Sequence, residues 1–151
     1  MVWAMVMPNG LLSYKLLNRD FKSHAYIQLL GQTVVPICKL NYGNNFWYQQ
    51  DNSKIHTAKI VQKWMGEAKL QVLPWPARSP DLNIMENIWK ILEDVIYDRS
   101  QLMSLADLRE EIQKAFLVVN TTKRGILKNL YETFRGRLVK VIVNNGNEIN
   151  N

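Results

Sequence analysis

Along the chain the hydrophobic positions switch between a period of two and a helical period, and the switches predict its elements. "VWAMVM" and "LLSYKLL" are short apolar or alternating runs on either side of "PNG". Asn9-Gly10 is a hairpin signal, so two antiparallel strands are expected. Residues 24–38 carry Ile27, Leu30, Val34 and Ile37 at helical spacing, with Ser23 as the N-cap and Pro36 closing or bending the end. After the turn "NYGNN", the run "FWYQQ" predicts a strand that ends at Asp51. "HTAKIVQKWMG" predicts a helix with Ile60, Val61 and Trp64 inward and Gly66 as its stop. "KLQVLPW" predicts a further short strand, and "PWPARSP" a loop stiffened by its prolines.

From Asn83 onward the pattern is helical throughout. Met85, Ile88, Trp89, Leu92 and Ile96 mark one helix, and Ser104 caps a second with Leu105, Leu108, Ile112, Phe116 and Val119 on its core face. Leu127, Leu130, Phe134, Leu138 and Val141 line one stripe of a long final helix, ended by "NNG". Strands interleaved with helices predict an α/β fold, a sheet covered by helices.

Composition narrows the setting. At 151 residues the chain is the size of one domain, and 47% hydrophobic against 21% charged residues is globular rather than disordered. No apolar run reaches the roughly 18 residues of a membrane span, so no membrane association is expected. The opening "MVWAMVMPNG" has neither the basic leader nor the long apolar block of a signal peptide, so the expectation is an intracellular, non-secreted protein. A single cysteine, Cys38, excludes an internal disulfide and a cysteine-rich zinc site. The net charge is +6, and the segment from Thr122 to Val143 holds six basic residues (Lys123, Arg124, Lys128, Arg135, Arg137, Lys140) against Glu132 alone. That excess reads either as a polyanion footprint or as a solvated helix face.

Two carboxylates are candidates for chemistry. Asp51 follows an apolar strand and Glu86 lies in the first turn of the helix after the proline loop, with 34 residues between them. If both elements converge on one edge of the sheet, the pair can share a divalent cation such as Mg²⁺ or Mn²⁺, which favours hard oxygen ligands and offsets the desolvation of the charge. Local explanations stand beside this one. Asn83-Ile84-Met85-Glu86 fits a capping box, and Asp51-Asn52-Ser53 fits turn chemistry ahead of a helix.

The wording of the two blocks decides between them. "WYQQDNSKIHTAK" and "LPWPARSPDLNIMENIWKIL" resemble the signature blocks of the Tc/mariner superfamily of transposases, its nematode Tc branch above all. That family's pattern reads roughly QQDNxPxHxA, then WPxxSPDLNPIENLW, with the same interval between its second Asp and a final Glu. The likeness extends over essentially the whole chain, from "VWAMVMPNGLLSY", similar to the family's VWGxxxxxG hairpin, to "NNGNEINN".

The resemblance implies an RNase H-like catalytic domain over residues 1–151, a mixed sheet flanked by helices and followed by extra C-terminal helices. It also implies two-metal hydrolysis and strand transfer at transposon ends, in the nucleus. By position Asp51 and Glu86 match metal ligands, Asp81 matches none, and His56 matches a recurrent histidine with a supporting or packing role. As a zinc ligand His56 would have no partner, since His24 is distant in sequence and Cys38 is expected in a helix. Asn52 and Asn83 are expected to support the carboxylates. Lys54, Lys59 and Arg78 near the site, with Lys123, Arg124, Lys128 and Arg135, are expected to contact DNA phosphates without sequence preference.

The likeness also has gaps. The family's first Asp stands on a strand upstream of the hairpin, and its helix-turn-helix region stands further upstream; this sequence opens at Met1 inside the hairpin. Asp20, in the turn "LNRDF", is misplaced for that first ligand. Ile84 stands where the family usually has proline. Without the first strand and its Asp, at most one weakly held cation and negligible strand cleavage by this chain alone are expected. An unpaired strand edge then favours pairing with a second copy or a full-length relative. The alternative is a noncatalytic nucleic-acid-binding or interaction protein on the same fold.

Overall fold

The structure is a computed structural model that describes residues 1–10, 12–77, 79–97 and 104–146. Its strands are β1 (Val2–Val6) and β2 (Leu12–Leu16). Its helices are α1 (Ser23–Leu29), α2 (Val35–Tyr42), α3 (Lys59–Glu67), α4 (Ile84–Tyr97), α5 (Leu105–Thr122), α6 (Arg124–Glu132) and α7 (Phe134–Val143). The chain forms two compact units, Met1–Leu17 with Ser79–Asn151, and Asn18–Arg78.

In the first unit β1 and β2 form the expected antiparallel hairpin, with Val2 opposite Leu16 and Val6 opposite Leu12. The turn closes where the Gly10 N–H donates to the Met7 carbonyl at 2.8 Å. Gly10 sits at φ +76°, and a Cβ there would stand 2.6 Å from the Arg124 carbonyl oxygen, so both the turn and the approach of α6 require glycine. One core gathers Leu12 from β2, Ile88, Leu92 and Val95 from α4, Ala115, Phe116 and Val119 from α5, and Leu127 from α6. Tyr14 stacks on Phe116 at 4.0 Å between ring centroids, and Trp89 meets the same ring edge-on. Ser104 caps α5 as expected, its Oγ accepting the Asp107 N–H at 3.1 Å.

The expected long final helix is instead two helices. Thr133 interrupts it at φ −80° and ψ −5°, with its Oγ1 donating back to the Asn129 carbonyl at 2.8 Å. Such back-bonding bends helices. Past the break the stripe is rotated: Leu138 is 36% exposed, while Arg137 is buried at 8%.

In the Asn18–Arg78 unit, α1 passes into α2 through a π turn at Leu30–Val34. Pro36 does not close the helix; it falls in the first turn of α2. Proline lacks the N–H for a regular helical bond, and the widened turn ahead of it accommodates the loss. Ser23 is the first helical residue rather than the cap, which is Lys22. The buried face carries Tyr26, Leu29, Leu30, Val34 and Cys38, one flank over from the expected stripe.

In α3 the buried residues are Val61 and Met65, and Ile60 is exposed. Gly66 lies inside the helix. Lys69 takes the left-handed position at φ 52°, its N–H donating to the Gly66 carbonyl while the Leu70 N–H reaches that of Met65. The two runs read as strands contract to one parallel bridge, Tyr48 with Val72, in which Tyr48 bonds to Gln71 and Leu73 at 2.8 Å each.

Candidate active site

Asp51 emerges three residues beyond that bridge, its side chain 55% exposed. Ser53 opens a single helical turn, its carbonyl accepting both the N–H and the Oγ1–H of Thr57 at 3.0 Å. The turn brings His56 back over Asp51, and Gln62 on α3 fastens it by donating to the His56 carbonyl at 2.8 Å. Asp51 Oδ1 accepts the Ser53 N–H at 3.0 Å and lies 2.6 Å from His56 Nδ1. A carboxylate only accepts, so Nδ1 carries the proton of that bond. No described residue donates to Oδ2. Of the two oxygens, Oδ1 takes both of these contacts.

Beneath this turn lies a buried polar cluster. The Tyr26 ring packs 4.4 Å from the His56 ring, tilted by 31°. Its hydroxyl is 2.6 Å from Gln50 Oε1 and 3.1 Å from the Tyr48 hydroxyl. An amide oxygen cannot donate, so Tyr26 donates to Gln50 and Tyr48 donates to Tyr26. Burial pushes the Tyr26 hydroxyl far above its ordinary value and the Tyr48 hydroxyl up to about 12, so both stay neutral. Sequence periodicity passed over Tyr26, which stands one position from the apolar stripe. The available signal was an aromatic with a polar tip, which needs a partner when buried.

Glu86 is exposed on the first turn of α4. Asn83 caps this helix, its Oδ1 accepting the Met85 N–H at 3.2 Å while its Nδ2 donates to Glu86 Oε1 at 3.4 Å. The reciprocal half of a capping box is not made, since the Asn83 N–H goes to the Pro80 carbonyl. Asn52 ties the Asp51 loop to the proline loop, Nδ2 donating to the Trp75 carbonyl at 2.9 Å. Asp81 lies in the 3-10 turn Pro80–Leu82. Asp51 belongs to the Asn18–Arg78 unit and Glu86 to the other. Among the described residues no group of three His, Cys, Asp or Glu side chains stands ready to hold a metal ion.

Lys54 and Lys59 are exposed around the Asp51 turn, and Arg78 lies outside the described residues. Lys123 is half-buried, and Arg124, Lys128 and Arg135 are exposed. Arg124 Nε donates to the Asn9 carbonyl at 3.1 Å, and Lys128 pairs with Glu132 at 3.5 Å. Arg137 turns inward, its guanidinium donating to Asn87 Oδ1 at 3.2 Å and the Leu130 carbonyl at 2.8 Å. Burial lowers its pKa.

Comparison with known proteins shows the family and the fold. The family of DDE superfamily endonucleases matches residues 12–109. The transposable element Tc3 transposase of Caenorhabditis elegans is 30% identical over 151 residues, covering 99% of this chain and 45% of that protein. The Tcb1 transposase of Caenorhabditis briggsae is 32% identical over 93 residues, 62% of this chain and 34% of that protein. Among solved structures, the catalytic domain of Mos1 mariner transposase superposes with a TM-score of 0.81 at 17% identity, covering 99% of this chain and 75% of that one. The same domain has been solved with raltegravir and Mg (TM-score 0.80, 16% identity, 99% and 76% covered), and that likeness carries the RNase H-like fold. The chain thus spans less than half the length of the relatives it matches.

Proposed function

We propose, since the chain belongs to the Tc/mariner transposases within the DDE superfamily of endonucleases, that Asp51 and Glu86 are metal-binding carboxylates for cutting and joining DNA at transposon ends. The observation that carries this reading is the Asp51 carboxylate, exposed, with Oδ1 fastened by two donors and Oδ2 open. Hard carboxylate oxygens suit Mg²⁺ or Mn²⁺. When bound, such an ion supplies Lewis-acid stabilisation of the charge that develops on phosphate oxygens.

This chain's residues have separable tasks. Asp51 and Glu86 supply anionic oxygens. His56 orients Asp51, Asn52 anchors its loop, and Asn83 steadies the Glu86 carboxylate at the head of α4. Lys54, Lys59 and Arg78, with Lys123, Arg124, Lys128 and Arg135, contact the DNA backbone without reading its sequence. The setting is the nucleus, and the working form pairs with a second copy or a longer relative. The family's site takes two ions, and Asp51 and Glu86 would supply two of its carboxylate ligands.

The test supplies Mg²⁺ or Mn²⁺ and labelled linear or nicked duplex to the chain and to its Asp51→Asn and Glu86→Gln variants. Metal-dependent DNA retention or residual nicking that either substitution removes supports the reading. Retention independent of metal, unchanged in both variants, replaces it with a noncatalytic DNA-binding role, which the exposed Lys54, Lys59 and Arg135 would serve.

A further inference from the structure

We infer that Tyr26 is a positioning residue for the Asp51 carboxylate: its ring seats His56 on Oδ1 and its hydroxyl holds Gln50, leaving Oδ2 as the single oxygen offered to a cation. The inference rests on the reading of Asp51 as a metal ligand and specifies how that ligand is presented.

Three observations carry it. Tyr26 is fully buried, and a hydroxyl at such a depth is costly unless bonded. Its two bonds go to Tyr48 in the parallel bridge and to Gln50, the residue immediately before Asp51. Core filling alone would be met by phenylalanine. Second, the ring centroid lies 4.4 Å from that of His56, so one side chain reaches both the residue preceding the carboxylate and the residue bonded to it. Third, both donors to Asp51 converge on Oδ1. A cation chelated by both oxygens would have to share Oδ1 with two N–H groups, whereas ligation through Oδ2 leaves them in place. Outer contacts of this kind commonly change metal affinity about 10-fold or more when removed.

The experiment titrates Mn²⁺ into the metal-free chain and follows paramagnetic broadening of backbone amide signals near Asp51. The variants are Asp51→Asn, Tyr26→Phe, Tyr26→Leu, His56→Asn and His56→Gln. The dispersion of each metal-free spectrum reports folding. The side-chain amide of Asn can take the place of imidazole Nδ1, whereas that of Gln reaches toward Nε2. The expected order is therefore wild type and His56→Asn within about 3-fold, and His56→Gln and Tyr26→Leu weakened about 10-fold, with Tyr26→Phe in between. Wild-type affinity in folded Tyr26→Phe and His56→Gln would overturn the inference while leaving Asp51 a ligand. Should Tyr26→Leu fail to fold, those two variants still decide. Broadening absent from the wild type, or unchanged in Asp51→Asn, would overturn the metal-ligand reading itself, and with it the inference.

Discussion

The side-chain amide of Asn120 on α5 serves Leu12 as a strand neighbour, Nδ2 donating to the Leu12 carbonyl at 2.8 Å and Oδ1 accepting its N–H at 2.9 Å. A helix side chain thereby completes the β2 backbone beside the core. Asn120→Ala leaves both groups without partners at a residue that is 2% exposed, a cost of about 1–3 kcal/mol per group. Asn120→Asp should be worse, since it sets a carboxylate oxygen against the Leu12 carbonyl. Urea unfolding of the three proteins checks the order.

Gly10→Ala should destabilise by roughly 1–3 kcal/mol. The new Cβ meets a backbone carbonyl, that of Arg124, at 2.6 Å, and the φ of +76° is itself unfavourable for alanine. The obstruction is backbone, so side-chain rotation cannot relieve it. A lowered urea midpoint is expected, together with loss of the Arg124–Asn9 bond.

Alkali should unfold the Asn18–Arg78 unit through its tyrosines. Tyr26 and Tyr48 have folded-state values raised above the ordinary 10.0, Tyr48 to about 12, so the folded state holds protons that the unfolded chain releases first. Stability from this source is complete below pH 10 and falls as the pH rises from about 10 towards 12 and beyond. Tyrosinate absorbance with parallel circular dichroism should show two late-titrating tyrosines, and Tyr26→Phe should flatten the alkaline loss.

The basic residues of the last two helices should separate by role. Arg135→Gln is expected to weaken duplex binding uniformly across sequences and to lower the salt slope by about 1. Arg137→Gln should leave that slope unchanged and lower the unfolding midpoint, because this guanidinium is spent on Asn87 and Leu130. Fluorescence anisotropy over a salt series, beside urea unfolding, distinguishes them.

Much of this protein is determined by its sequence alone. The hairpin follows from "PNG" between two apolar runs, the start of α5 from Ser104, and the first-turn position of Glu86 from the helical period that begins after the proline loop. These signals act over a few residues, through a turn bond, a cap or a period, so they are complete before the chain is packed. The rest was settled by partners distant in sequence. Tyr26 rather than Ile27 faces inward because Tyr48 and Gln50 supply its hydrogen bonds, and Arg137 is buried because Asn87 and Leu130 receive it. Asn120 completes Leu12 across 108 positions. A helical period marks an apolar stripe, but which flank is buried depends on the surface it meets, and only the tertiary structure provides that surface.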